Sequence, residues 1–334
     1  MVSLLMGLSS CGGGSESAAP PTNTPPSSNL PNTIPEALAQ AVNQGIDGIF
    51  VYVDNPSGQG QDYVAGIENR TTRQAARTES LFKIASISKL YIAVAATKLI
   101  TQNSIQLNDT LGQWLPQYTN RIENAHNITI RQMLEHRSGI PDFDSQSGFS
   151  WENPHTDIDQ TLEFALDLPA DFAPNQRYEY SNTNYLLLGK ILDTALGYSH
   201  RDYIKVHIID QLHLSNTYSL YREIDPQRLV RGYWNNIDRA QQDYVIPGGS
   251  MISTVEDTAT FLRALNTGTL LSSQEKAHYV YFLNHSGWLP GYQSIATYHA
   301  NIDRVVIQFI NTTGGNSESI ASNTYDHIIR ILAQ

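Results

Sequence analysis

Strand-forming runs crowd the two ends of the chain and leave the middle to helical spacing, and this distribution restricts the fold more than any other feature. Ile49-Phe50-Val51-Tyr52-Val53 and Tyr63-Val64-Ala65 are β-rich, and Asp54-Asn55-Pro56-Ser57-Gly58 separates them, which predicts an antiparallel hairpin with a longish turn. Toward the other end, Ser294-Ile295-Ala296-Thr297-Tyr298 and Arg304-Val305-Val306-Ile307-Gln308-Phe309-Ile310 flank a turn at Ala300-Asn301. Each end also carries a helix. Thr33-Ile34-Pro35-Glu36 has the form of a capping box and opens a helix that stops at Gly45. Ile320, Ile328, Ile329 and Leu332 set helical spacing from Glu318 to Leu332. Between the ends, Leu162 to Leu166, Tyr185 to Leu196 and Tyr203 to Leu212 carry apolar residues at helical spacing between Pro and Gly breaks. The expected architecture is α+β: one antiparallel sheet built from both chain ends, flanked by the terminal helices, with a mostly helical lobe at about 105–245 inserted between them. A cleft between sheet and lobe is the default site.

At 334 residues the chain has room for a large catalytic domain with a sizeable core. A net charge of -11, with no run of Lys or Arg to interrupt it, argues against nucleic acid as a partner. The single cysteine, Cys11, excludes an internal disulfide and a thiolate metal cluster. Ten scattered histidines include no His-Glu-x-x-His pair, so neither a metal nor a cofactor is expected. Gly12 to about Asn32 is Gly, Ser, Pro, Thr and Asn with almost nothing to bury. Residues 12–32 therefore read as a disordered tether, and residues 33–334 as the catalytic domain.

Three short stretches could carry chemistry. Phe82-Lys83-Ile84-Ala85-Ser86-Ile87-Ser88-Lys89-Leu90 leads into an apolar helical run, so Lys89 shares a helix face with Ser86 and can reach its hydroxyl. A lysine activates a serine only when burial or nearby positive charge lowers its pKa, and this one sits among Ile, Ala, Leu and Tyr. In Tyr178-Glu179-Tyr180-Ser181-Asn182-Thr183-Asn184-Tyr185, a tyrosine held near a lysine can act as a base and an asparagine amide can bind a substrate carbonyl. His285-Ser286-Gly287-Trp288-Leu289-Pro290-Gly291-Tyr292 reads as a strand edge along which a substrate backbone can lie. Each has a plainer alternative when taken alone: a capping serine with a solvated lysine, a helix cap, and a Gly-Pro turn.

Together and in this order, the three stretches resemble the superfamily of serine β-lactamases and penicillin-recognising DD-peptidases. Tyr-Ser-Asn as the second motif is similar to the class C β-lactamase, DD-carboxypeptidase and related esterase branch. Met133-Leu134-Glu135-His136-Arg137-Ser138-Gly139-Ile140-Pro141-Asp142 resembles that branch's Leu-Leu-x-His-x-Ser-Gly loop. Pro247-Gly248-Gly249-Ser250-Met251-Ile252-Ser253-Thr254-Val255-Glu256-Asp257 resembles its Gly-Gly-x-x-Ser-Thr-x-x-Asp helix start. The resemblance implies a β-lactamase/transpeptidase-like fold in which Ser86 attacks and forms an acyl-enzyme. Lys89 and Tyr180 would share the proton transfer, with the choice of base left open. It further implies that Asn182, His285, Ser286 and Gly287 bind substrate and that the N–H groups of Ser86 and Trp288 form an oxyanion hole.

Two departures bear on substrate. His-Ser-Gly stands where Lys-Thr-Gly is usual, which removes a permanent charge for a β-lactam carboxylate, and Trp288 is bulky for its place. The piece between Gly268 and His285 is also short for the family. The leading expectation is a D-alanyl-D-alanine carboxypeptidase-like hydrolase on peptidoglycan-type peptides. An esterase of the same family, a class C-like β-lactamase and a non-catalytic binding protein are the alternatives.

The expected location supports a peptidoglycan substrate. Met1 to Leu8 is an apolar run far too short to span a bilayer and reads as the apolar region of a signal peptide. Leu8-Ser9-Ser10-Cys11 resembles the lipobox of bacterial lipoproteins, which implies that residues 1–11 direct export and that Cys11 is lipidated. The enzyme would then be periplasmic and lipid-anchored to a bacterial membrane. No Lys or Arg precedes the apolar run, a departure that leaves a start codon further upstream open.

Overall fold

Within residues 30–334, which the computed structural model describes, the two ends of the chain meet in one sheet. The expected signal segment at 1–11 with Cys11, and nearly all of the 12–32 tether, lie outside the described residues. Six strands run in the order Gln74–Ala75, Gly58–Asn69, Gly48–Asn55, Arg304–Ile310, Tyr292–His299, His285–Leu289. Every neighbouring pair is antiparallel. The two hairpins join at the centre, where Ile49 faces Ile310 and Val53 faces Val306. The strand at the heart of the sheet is buried on both faces, which is why Ile49 to Val53 reads as an unbroken apolar run.

Alternation along that strand assigns the two faces. Ile49, Val51 and Val53 pack with Val306 and Ile310 against the terminal helices Ile34–Asn43 and Ser317–Leu332, through Leu38, Ala41, Ala321, Tyr325 and Ile328. Thr33 and Glu36 close a reciprocal capping box at the first of these helices. On the other face, Phe50, Val305, Ile307 and Phe309 belong to the main core. That core also holds the helix Val255–Thr267 and the helix Ser88–Thr101, whose residues from Ser88 to Ile100 are all buried. A helix apolar all round belongs in the interior, and this one carries the Ser-x-x-Lys stretch into it.

The inserted region is helical but broken. Its one long helix is Asn182–Leu196, and the others are short: Leu111–Trp114, Ile130–Leu134, Ile158–Leu162 and His200–Ile204. The stretch expected as one helix from Tyr203 to Leu212 passes at Lys205–Ile209 into a π-turn, with the Asp210 N–H reaching the Lys205 carbonyl at 2.8 Å. This wider turn accommodates the burial of two successive residues, Ile208 and Ile209. Near the end of the insert, Tyr233–Trp234 and Ile237–Asp238 form a small sheet with Thr312–Thr313. These strands are two residues long, too short to leave a periodic signal. Among the described residues no helix is long and apolar enough to cross a membrane.

Candidate active site

Ser86 occupies a 3-10 turn, Ala85–Ile87, that runs directly into the helix Ser88–Thr101. Two elements fix this turn. The strand Phe82–Lys83 pairs with Ile252–Ser253, and the Ile84 N–H bonds the Met251 carbonyl at 3.0 Å. The Ser88 hydroxyl then ties the Ala85 carbonyl at 2.6 Å to the Met251 N–H at 3.2 Å. Ala85 is held at φ 51°, a left-handed conformation costly for a residue with a Cβ and of the kind that gathers at functional sites. Ser86 is half-buried beside a cavity of about 340 Å³ lined by Lys89, Asp144, Trp151, Tyr180, Asn182, Ile246, His285 and Trp288, among others.

Lys89 is 1% exposed, and its Nζ has three partners: Ser86 Oγ at 3.0 Å, Asn182 Oδ1 at 2.8 Å and the Gly248 carbonyl at 3.1 Å. Burial pulls the amine down to about 7, against the pull of the Asp142 and Asp144 carboxylates, which favour the charged form. Three contacts suit both protonation states. The ammonium donates to all three, while the neutral amine donates to Asn182 and Gly248 and turns its lone pair to the Ser86 O–H. A proton can thus pass from Ser86 to Lys89 without rearranging the site. Gly248 makes this possible: it sits at φ 77°, and a Cβ there would lie 2.8 Å from Lys89 Cγ.

Tyr180 donates its hydroxyl to Ser86 Oγ at 3.0 Å. Burial pushes its phenol upward, only partly offset by the Ser86 contact, so it stands as a neutral donor. The segment that bears it is stitched down by the loop His136–Phe143. The Ser181 N–H donates to His136 Nδ1 at 3.2 Å, the Ser138 hydroxyl to Asn184 Oδ1 at 2.6 Å, and the Thr183 hydroxyl to the Pro141 carbonyl at 2.8 Å. The His136 ring also stacks on Tyr180, with centroids 4.3 Å apart. Asn182 has both amide N–H groups engaged, with Nδ2 donating to Asp142 at 3.1 Å and Asp144 at 3.2 Å, while Oδ1 accepts from Lys89.

His285, Ser286, Gly287 and Trp288 lie on the edge strand His285–Leu289, beside the Ser86 turn. A Cβ on Gly287 would lie 2.4 Å from the Ile84 carbonyl oxygen and 2.9 Å from Ala85 Cβ. Glycine is required there by the packing of strand on turn. Gly287→Ala is therefore expected to cost about 1–3 kcal/mol of stability, read as a lower urea midpoint, and to reduce turnover by displacing the Ser86 turn. An edge strand leaves backbone donors unpaired on its outer side, and the Ser86 N–H lies in a first helical turn, where donors have no intrahelical partner. The Trp288 indole N–H donates to Glu318 at 2.9 Å.

Both nitrogens of the His285 ring are engaged within the protein. Nδ1 donates to the Ser286 carbonyl, which leaves Nε2 to accept from the Tyr281 hydroxyl at 2.8 Å. Tyr281 in turn meets His136 Nε2 at 3.4 Å. Burial, together with the Lys89 charge, pulls His285 down to about 4 and His136 to about 3, so both are neutral near pH 7. Asp142, Asp144, His136, Tyr281 and the Gly248 carbonyl are the site groups that sequence reasoning did not single out. His136, Asp142 and Gly248 were visible inside quoted motifs, but nothing there showed where they point. Among the described residues no cluster of three His, Cys, Asp or Glu is disposed to hold a metal ion.

A serine, a buried lysine and a tyrosine joined by hydrogen bonds where an antiparallel sheet meets a helical insert define a β-lactamase/transpeptidase-like protein. The chain belongs to the beta-lactamase family, whose model matches residues 34–283, and members of that family are mostly serine hydrolases. It is 30% identical over 186 residues to penicillin-binding protein 4* of Bacillus subtilis, a match that spans 54% of this chain and 40% of that protein. Its fold is shared by D-amino acid amidase from Ochrobactrum anthropi, solved with L-phenylalanine amide, at a TM-score of 0.78 and 22% identity over 92% of this chain and 99% of the other. A penicillin-binding protein from Bacillus halodurans aligns at a TM-score of 0.73 and 18% identity, over 91% of this chain and 99% of the other.

Proposed function

We propose that this protein is a serine hydrolase that cleaves esters or amides through an acyl-enzyme on Ser86. The observation that carries the reading is the Lys89 amine, buried so that its proton is held less firmly than usual, with its nitrogen 3.0 Å from Ser86 Oγ. Lys89 is the base that takes the serine proton, and Tyr180, a neutral phenol on the same oxygen, protonates the leaving group and is made neutral again by the proton that Lys89 took. The N–H groups of Ser86 and Trp288 would receive the oxyanion. The preferred leaving group bears no carboxylate. Among the described residues Lys89 is the one Lys or Arg that lines the cavity, His285 is neutral, and Asp144 faces the same space. A carboxylate beside the scissile bond would meet no fixed cation.

A second reading, a D-alanyl-D-alanine carboxypeptidase-like enzyme, draws support from the similarity to penicillin-binding protein 4*. The segment Leu8 to Cys11 supports an exported, lipid-anchored location for either reading. Intact-protein mass spectrometry with benzylpenicillin and with p-nitrophenyl acetate, beside Ser86→Ala, separates the two. Ester turnover that depends on Ser86, with no penicillin adduct, is the expected result. A lasting adduct, with release of D-alanine from a D-Ala-D-Ala peptide, would favour the second reading. No Ser86-dependent event with any acyl compound would remove both.

A further inference from the structure

Two carboxyl groups stand behind the lysine, and the roles proposed for Ser86, Lys89 and Tyr180 leave them unused. Asp142 accepts the Asn182 backbone N–H at 2.9 Å through Oδ1 and the Asn182 side-chain N–H at 3.1 Å through Oδ2. Asp144 accepts from the same Nδ2 at 3.2 Å. These bonds settle which way the amide faces. With Nδ2 drawn to the carboxyls, Oδ1 must point to Lys89, where it accepts at 2.8 Å. A reversed amide would aim its N–H groups at the lysine and leave Nζ one acceptor short.

We propose that Asp142 and Asp144 act as one positioning unit for Lys89, directing its amine toward Ser86 by way of Asn182 and setting by their charge how firmly it holds a proton. The inference rests on Lys89 being the base. The groups that face Nζ bear it out: Tyr180 and Tyr185 present ring faces at 5.0 and 5.4 Å, and His136 and His285 are neutral. Among the described residues, Asp142 and Asp144 are therefore the negative charges that Lys89 meets. Burial pushes both carboxyls up, and at Asp142 the neighbouring Asp144 charge adds to the rise.

The two residues can be tested for different parts of this role. In Asp144→Asn the side-chain oxygen can still accept from Asn182, so mainly charge is lost. Loss of a negative neighbour lowers the amine's proton affinity, and the rise of kcat/KM with pH should move to lower pH by about half a unit, roughly threefold in affinity. Asp144→Glu should restore the wild-type midpoint. Asp142→Asn, which also removes a bond at the start of the helix Asn182–Leu196, should lower the plateau of kcat about tenfold or more through the misdirected amide.

Activity on p-nitrophenyl acetate reads the profile, and the Cε chemical shift of Lys89 in 13C-lysine-labelled protein, assigned with Lys89→Met, reads the titration directly. A Lys89 midpoint that stays in place in Asp144→Asn and Asp142→Asn alike overturns the proposal, even if both variants lose thermal stability. If the wild type shows no Ser86-dependent turnover while the Cε midpoint still shifts, the hydrolase reading fails and the positioning role stands.

Discussion

Lys89→Met is expected to lower Ser86-dependent ester turnover by about 10²–10⁴-fold and to abolish the rise of activity through neutral pH. A lysine at its ordinary pKa would be neutral in well under one molecule in a thousand at pH 7. Burial brings Lys89 to about 7, so a large share of the protein carries the free amine there. A base acts when deprotonated, and wild-type kcat/KM should accordingly climb as pH rises through about 7 and level off above it. Methionine has similar length and suits the buried channel, but Asn182 Oδ1 and the Gly248 carbonyl would then lose their donor, at a cost of about 1–3 kcal/mol each. Part of that cost is offset because an amine no longer has to be held out of water. The check is a kcat/KM profile from pH 5 to 9 with p-nitrophenyl acetate, alongside a melting curve showing that the variant is folded. Full turnover in Lys89→Met would assign the base elsewhere.

The parts of this molecule that the sequence exposes are those whose cause is local. Ile49 to Val53 reads as a strand because both of its faces are covered, and Thr33 with Glu36 reads as a helix start because the capping box closes within four residues. Ser86 and Lys89 lie three positions apart, so their meeting follows from one helical turn. Tyr180 and Asn182 are 94 and 93 positions from their partners Ser86 and Lys89, and although their stretch read as a chemical candidate, only the resemblance to a family tied them to that pair. Groups with no signature of their own stayed hidden. The Gly248 carbonyl is backbone, and its position is set by a left-handed glycine in a loop. Asp142 and Asp144 follow a Gly-Ile-Pro turn, where carboxylates usually face water, and their burial depends on the helix that starts at Asn182. The direction of the His285 ring is decided by Tyr281 and by its link to His136, 145 positions from that tyrosine. The same distinction explains the inserted region, where helical spacing located the apolar faces but not the π-turn at Lys205–Ile209.

Tyr180→Phe should divide substrates by their leaving groups. The phenol lies 3.0 Å from Ser86 Oγ and is pushed up by burial, so near pH 7 it has a proton to give and cannot readily take one. A donor matters when the departing atom must be protonated and matters little when it leaves as a stable anion. For a p-nitrophenyl ester, loss of the hydroxyl should reduce acylation only a few-fold, through the missing hydrogen bond to Ser86. For the methyl ester or amide of the same acid, the loss should reach about 10²–10⁴-fold, because an alkoxide or amide anion is a poor leaving group without a proton. Paired single-turnover measurements on the two substrates read the difference directly. If Tyr180 instead drew the proton from Ser86, formation of the nucleophile would suffer whatever group departs, and both substrates would slow by the same large factor. The Lys89→Met profile and the Tyr180→Phe ratio thus test opposite halves of one proton transfer: the lysine by pH, where its charge changes, and the tyrosine by leaving group, where its charge does not.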